Sequence, residues 1–319
     1  MLEWSLFCVA PTPPLRPRFV FDPDATRGCM LRSQQFISMP VFSLTRPELQ
    51  QLIARIAVAI EGEKGDLFEQ NSLDREKGSA SSRRENLGVS AAGRSLDLRN
   101  LARLIDHTLL RPEASRSEIE QLCREALSHG FGAVYLSLAW VPLAAEQLRG
   151  SGVKVGTVIG FPFGATLTSA KRAEAEAAIR LGAEELDMVM NAGALRSGQL
   201  ELVQSDISGV AEISHAYGCI LKVILENAYL SDAQKVTACR IAEQAGADYV
   251  KTSTGFGPSG ACEADVRLMR ETVGPAMGVK AAGGIRTLRD ALRMLQAGAD
   301  RLGSSASVAI LAEASRRGD

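Results

Sequence analysis

Gly246-Ala247-Asp248-Tyr249-Val250-Lys251-Thr252-Ser253-Thr254-Gly255 holds the end of one element, the whole of the next and the turn that follows. Upstream, Asp232 to Ala245 is amphipathic at helical spacing, and Gly246 stops it, because glycine accepts the left-handed backbone that ends a helix. The run from Tyr249 to Thr254 is short and β-branched, as a buried strand is. Lys251 interrupts it. A charged group inside a strand is costly to bury unless it is paired or put to use.

The same grammar extends both ways along the chain. Strand-like runs recur at Ala102–Ile105, Ala133–Leu136, Val155–Phe161, Leu186–Met190, Leu221–Leu225, Tyr249–Thr254, Val279–Ala282 and Arg301–Leu302. Amphipathic stretches lie between them, among them Ser117 to Ser128, Ser169 to Leu181 and Leu288 to Ala297, and Gly182-Ala183 and Gly298-Ala299-Asp300 repeat the helix-to-strand ending. Strands joined throughout by helices predict a (β/α)8 TIM barrel over residues 98–319, with a doubly wound open sheet as the alternative.

In such a barrel, functional groups project from the C-terminal ends of the strands. Read in that way, Asp106 follows strand 1, Asp187 lies in strand 4, Lys222 and Glu226 in strand 5, Lys251 in strand 6 and Lys280 in strand 7. Lys251 is either an ionically paired barrel lysine or a nucleophilic amine that forms a Schiff base with a carbonyl. The second role requires a neutral amine. Lowering a lysine from pKa ~10.4 to ~7 takes about 4.6 kcal/mol. A second ammonium ~4 Å away supplies about 4 kcal/mol at an effective dielectric near 20. Lys280 is placed to do so, with partial desolvation acting in the same direction. Asp187 fits a proton carrier working through water, or a salt bridge to Lys222 or Lys280; the two are compatible. Asp106 positions Lys222 or a substrate hydroxyl, or caps the turn it shares with Thr108.

A second constellation suits an anion. Gly283-Gly284-Ile285-Arg286 follows strand 7, and Gly303-Ser304-Ser305 follows strand 8 and opens a terminal helix. Glycines let backbone N–H groups approach a phosphate, and a helix N-terminus adds a favourable dipole. Gly255 can offer another N–H.

Composition narrows the function classes. The chain has 319 residues, 46% of them hydrophobic, with a formal net charge of -1, so it carries no electrostatic footprint for nucleic acid or an anionic membrane. No apolar run reaches bilayer length, and the first residues lack a basic secretory n-region, which points to the cytoplasm. Cys8, Cys29, Cys123, Cys219, Cys239 and Cys262 form no Cys-x-x-Cys pair, and His107, His129 and His215 have no metal-ligand spacing. No metal or other cofactor is expected.

Residues before the barrel read differently. Segment 1–44 is irregular, punctuated by Pro11, Pro13, Pro14, Pro17 and Pro23. Segment 45–61 predicts one amphipathic helix, with Thr45 as N-cap, Pro47 and Glu48 in its first turn, and Leu49, Leu52, Ile53, Ile56 and Ile60 on one stripe. Segment 62–97 is polar and charged enough to predict a flexible linker.

Taken together, these motifs resemble the deoxyribose-phosphate aldolase family. The resemblance runs in order through Ile105-Asp106-His107-Thr108-Leu109-Leu110, Thr157 to Ala165, Glu185 to Asn191, Leu221 to Glu226, Val250 to Gly255 and Val279 to Arg286, and covers about Leu98 to Leu311. It implies reversible, metal-free cleavage of 2-deoxy-D-ribose 5-phosphate to acetaldehyde and D-glyceraldehyde 3-phosphate, in a dimer or tetramer. It also implies that Lys251 is the Schiff-base lysine, Lys280 its cationic partner and Asp187 the proton relay, supported by Asp106, Thr108 and Lys222. Gly255, Gly283, Gly284, Gly303 and Ser305 become phosphate contacts. Related readings of the same residues are a class I aldolase or transaldolase for another sugar phosphate, and a non-catalytic sugar-phosphate-binding barrel.

Three departures stand out. The family's Val-Cys-Val-Asn-Pro in strand 2 is Val134-Tyr135-Leu136-Ser137-Leu138 here; the loop after Lys251 reads Gly257-Pro258-Ser259-Gly260-Ala261-Cys262; and the paired serines after strand 8 read Ser305-Ala306. The helix and linker before the barrel have no counterpart in the ordinary family member. They resemble an encapsulation peptide of bacterial microcompartment cargo, which implies a shell-protein partner for residues 45–61. A helix packed on its own barrel, or spurious sequence before Met39, are the other readings.

Overall fold

The computed structural model describes residues 99–318, with side chains to residue 316. The expected segments 1–44, 45–61 and 62–97 lie outside the described residues. Within 99–318, eight parallel strands close a barrel in sequence order, β1 hydrogen-bonding to both β2 and β8. That closure excludes the open sheet.

The strands are β1 (Ile105–Leu109), β2 (Ala133–Leu136), β3 (Lys154–Ile159), β4 (Glu185–Val189), β5 (Ile220–Ile224), β6 (Tyr249–Lys251), β7 (Gly278–Ala282) and β8 (Arg301–Ser304). Around them run α1 (Arg116–His129), α2 (Val141–Gln147), α3 (Thr168–Arg180), α4 (Ala192–Arg196), α5 (Leu200–Ala216), α6 (Asp232–Gln244), α7 (Glu263–Val273), α8 (Leu288–Gln296) and α9 (Ser307–Gly318).

Local chemistry explains the boundaries. Ser115, Ser231 and Thr287 start α1, α6 and α8 with reciprocal capping boxes to Glu118, Gln234 and Asp290. At the end of α6, Gly246 takes φ +87°. Ala247 N–H then closes on the Ala242 carbonyl, and Asp248 N–H already bonds to Leu221 of β5. The helix hands the chain directly to the sheet.

Three expected boundaries shift. β1 starts at Ile105, residues 99–103 being helical, so Asp106 lies inside the strand rather than after it. β6 ends at Lys251; Thr252 still bonds Lys280 and Ala282 of β7, and Thr254 turns to Glu226 in the loop after β5. Gly303 lies within β8 rather than beyond it.

Side chains alternate between the two faces of each strand, and here the faces differ in kind. Outward-facing Val134, Leu136, Val155, Leu186, Met188, Leu221, Val223, Val250, Val279, Ala281 and Leu302 join the buried aliphatic core under the helices. The inward positions carry Asp106, Tyr135, Glu185, Asp187, Lys222, Lys251 and Lys280, each buried and linked to the others by polar or ring contacts. Most of the apolar burial lies outside the barrel, and its interior combines this ionic cluster with buried Val158, Val189 and Ile224.

One further buried lysine ties helices to this frame. Lys171 of α3 donates to the Val189 carbonyl at the end of β4 over 2.9 Å and pairs with Asp206 of α5.

Candidate active site

Lys251 ends β6, and in the sheet register it lies beside Lys280 of β7 and Ile224 of β5. Both lysine Nζ atoms donate to the same oxygen of Asp187, Oδ2, at 2.7 Å each. Two nitrogens that share one oxygen are within twice that distance of each other. The nucleophile candidate, its cationic neighbour and the carboxylate therefore form one contact group at one end of the barrel.

Lys280 also pairs with Asp106 at 2.5 Å, and Asp106 pairs on its other oxygen with Arg301. Lys222 contacts Glu185 at 2.5 Å, the Tyr135 hydroxyl at 2.5 Å and, more distantly, Asp187 at 3.7 Å. Arg301 reaches Glu185 at 3.4 Å. The cluster sets the carboxylates of Asp106, Glu185 and Asp187 against the cations of Lys222, Lys251, Lys280 and Arg301. Fully ionised, it has one positive charge too many. A buried excess charge is relieved by the loss of one proton.

That proton belongs to Lys251. Burial pushes its ammonium down and Lys280 pushes the same way, against the opposing pull of Asp187, and the pKa settles at about 8. The cause differs from the expected one: burial is the largest effect and Lys280 only assists, because the shared carboxylate cancels much of the repulsion between the two lysines. Lys222 goes the other way. Burial lowers it, but Glu185, Asp187 and Asp106 together hold it above the usual lysine value. Asp187 is buried, which alone would raise it, yet Lys251, Lys280 and Lys222 keep it well below the carboxylate range. Asp106 is likewise held low against burial, by Arg301, Lys280 and Lys222.

Asp106 does not pair with Lys222, as one expectation had it; Arg301 and Lys280 are nearer and take both its oxygens. Thr108 donates its hydroxyl to the Asp106 carbonyl at 2.9 Å, but both residues lie within β1 rather than in the turn that was another expectation.

The glycine loops also converge. Gly255 and Gly283 adjoin: a Cβ placed on Gly283 would lie 3.6 Å from Gly255 Cα and 3.0 Å from Gly260 Cα. Ala261 N–H donates to the Gly283 carbonyl at 3.0 Å, and Ser304 donates to the Ile285 carbonyl at 2.8 Å, joining the loops after β6, β7 and β8. Gly255, Gly284 and Ser305 are exposed there, ahead of the first turn of α9. Gly303 sits deeper, where a Cβ would lie 3.3 Å from Lys280 Cε, so its lack of a side chain makes room for that lysine.

Two residues of the site, Glu185 and Arg301, were not singled out from sequence, and Tyr135 stood out only as a departure in strand 2. Glu185 is two residues before Asp187, and Arg301 is the register partner of Lys280, so strict alternation would have found both. Glu226 was read as part of strand 5 but follows it, at φ +55°, and accepts from Thr254 N–H and hydroxyl in the loop after Lys251. A non-glycine residue held in that region marks a position that its surroundings over-determine.

Known proteins resemble this chain in sequence and in fold. The profile of the DeoC/LacD family aldolases matches residues 101–312. Deoxyribose-phosphate aldolase of Caldanaerobacter subterraneus subsp. tengcongensis is 49% identical over 222 residues, 69% of this chain and 96% of that protein. Deoxyribose-phosphate aldolase of Streptococcus pneumoniae is 54% identical over 211 residues, 66% of this chain and 95% of that protein. The solved structure of deoxyribose phosphate aldolase from Aeropyrum pernix, described as tetrameric, superposes with a TM-score of 0.64 at 36% identity, covering 70% of this chain and 97% of its own. With its buried lysine pair, its shared aspartate and this breadth of likeness, the chain belongs to the DeoC/LacD family of aldolases.

Proposed function

We propose that this enzyme is a class I deoxyribose-phosphate aldolase, cleaving 2-deoxy-D-ribose 5-phosphate reversibly to acetaldehyde and D-glyceraldehyde 3-phosphate. One observation carries the reading: a buried lysine with pKa about 8 shares an aspartate oxygen with a second lysine.

In the cleavage direction, neutral Lys251 Nζ attacks C1 of the open-chain sugar, and loss of water from the carbinolamine gives an iminium. Proton removal from the C3 hydroxyl breaks the C2–C3 bond. Its electron pair flows into C2=C1–N, giving an enamine and releasing glyceraldehyde 3-phosphate. Protonation at C2 and hydrolysis return acetaldehyde and the free amine.

Asp187 suits the proton transfers because its basicity follows the charge on Lys251. While Lys251 is cationic, as ammonium or iminium, the carboxylate is held low. When the nitrogen becomes neutral, as carbinolamine or enamine, one of its two nearest cations is gone and its proton affinity rises. Acceptance of a proton by Asp187, through water, is thus matched to the step that discharges the nitrogen. The loops of Gly255, Gly283, Gly284 and Ser305 offer backbone N–H groups and the start of α9 to the phosphate, with Gly303 below them. Asp106, Thr108 and Lys222 support the charged groups from beneath.

The test is borohydride trapping with acetaldehyde, followed by peptide mapping. The adduct is expected on Lys251, and reduction that labels no lysine, or a different one, overturns the assignment. A substrate panel separates this activity from that of an aldolase for another sugar phosphate.

We also infer that the enzyme is a homo-oligomer and that residues 45–61 dock it to a microcompartment shell protein. The stripe Leu49, Leu52, Ile53, Ile56 and Ile60 supports this: burying such side chains contributes up to about 10 kcal/mol gross, before ordering costs. If a chain beginning near Leu98 co-localises with shell proteins as well as the full chain does, the docking role is wrong.

A further inference from the structure

Tyr135 takes no part in the reaction above, yet it stands wholly buried at the centre of the charged cluster. Its hydroxyl donates to Glu185 at 3.0 Å and accepts from Lys222. Those two bonds fix the ring from one end. Over the ring face lies the Lys280 ammonium, 3.6 Å from the centroid; Lys222, at 5.0 Å, sits at the hydroxyl end, and Lys251 is 5.9 Å away. The ring fits because its register partner on β3 is Gly156. A Cβ there would lie 2.4 Å from the ring carbon that carries the hydroxyl.

We propose that Tyr135 is a positioning residue whose ring face seats the Lys280 ammonium and so sets how strongly Lys280 bears on Lys251. The groups around Lys280 leave this as the direction not served by a carboxylate. Asp106 holds it from β1 and Asp187 from β4, Lys251 stands beside it on β6, and Arg301 on β8 competes for Asp106. Lys222 on β5 bonds the hydroxyl end of the ring. With Asp187 shared between two lysines, a small displacement of Lys280 changes how much of that carboxylate is left for Lys251. An electron-rich face resists such a displacement, since a desolvated cation over an aromatic ring is attracted to its quadrupole. The aliphatic or thiol side chains that would fill a smaller space have no such face.

The inference rests on the Schiff-base reading of Lys251, and its test separates the two. The full chain is prepared with Tyr135→Phe and with pentafluorophenylalanine at the same position, a ring of nearly the same shape with its quadrupole reversed. Borohydride trapping with acetaldehyde is then followed across pH. Tyr135→Phe is expected to keep the acid limb where it is in the unaltered chain. The fluorinated ring repels Lys280, Lys251 loses part of the influence that favours its neutral form, and the limb moves up by about half a unit to one unit. Trapping at pH 7 then falls roughly three- to tenfold and recovers near pH 9. If the fluorinated chain does not fold, Tyr135→Leu is read instead, and the same upward shift is expected. Coincident limbs for the ring-bearing and ring-altered chains overturn the proposal, as does a Tyr135→Phe shift as large as the fluorinated one. Absence of any Lys251 adduct in the unaltered chain overturns the Schiff-base reading itself.

Discussion

Lys222 and Lys251 stand one strand apart inside the same barrel, both buried and both within 4 Å of Asp187, yet they titrate in opposite directions. Lys222 has Glu185 at closest range, an oxygen that Tyr135 and, more distantly, Arg301 also reach, with a phenolic oxygen beside it and Asp187 beyond. Lys251 has only an oxygen that Lys280 also holds. Burial is common to both and cannot distinguish them. What selects the nucleophile is its share of carboxylate: the lysine that must divide one aspartate oxygen with another lysine gives up its proton near pH 8, and the one set against Glu185, Asp187 and Asp106 together keeps it.

The sharpest way to break this comparison is Lys251→Arg. It keeps a charge but no nucleophile, and should lower turnover on the order of 10⁵-fold. Steady-state assay with deoxyribose 5-phosphate checks this, and a surviving activity within tenfold would move the chemistry to another lysine. Next comes Asp187→Asn, which should cost about 10² to 10⁴ in turnover. It should also move the acid limb of trapping below pH 8, because the carboxylate that raises Lys251 is gone. A limb that moved upward would contradict the account.

Glu185→Gln tests the other lysine. It strips Lys222 of its nearest carboxylate, and denaturant unfolding should show a loss of about 3 to 5 kcal/mol, with any adduct still on Lys251. Lys280→Met removes the cation that competes for Oδ2 of Asp187, so Lys251 should titrate higher. At pH 7 the trapping rate should fall roughly tenfold for each unit of that shift, and a pH–rate series reads it directly. The smallest effect is expected from Gly284→Ala, where φ is +79° and the space is open. It should cost about 1 to 2 kcal/mol of stability and raise KM for the phosphorylated sugar more than for unphosphorylated deoxyribose.

Much of this was legible before the structure. Lys251, Lys280 and Asp187 announce themselves because a charge in a β-branched run has no cheap structural explanation, and Gly-Ala endings mark where each helix hands over to a strand. The glycine pair after β7 was readable for the same local reason, whereas Gly303, expected after β8, lies inside it. Glu185 and Arg301 were not, because each sits at the first residue of its strand, where charged side chains are ordinary. Only the closed register shows that they turn inward. The share of Asp187 was hidden as well. Sequence places Lys280 next to Lys251, but not the single oxygen between them, and so it overstated the repulsion and understated burial. Tyr135 read as a departure in pocket size, and its contact with Lys280 depends on a neighbour on another strand having no side chain.

Gly156 thereby fixes the order in which substitutions can accumulate at this place. With a methyl group at 156 the phenol has nowhere to lie, whereas glycine there tolerates a small side chain at 135 at the cost of a void. Any route of single changes between a small residue and tyrosine at 135 must therefore pass through glycine at 156 first, and a reversal must remove the aromatic before the glycine is refilled. Variant libraries that randomise 135 while holding 156, or the reverse, sample different halves of that route.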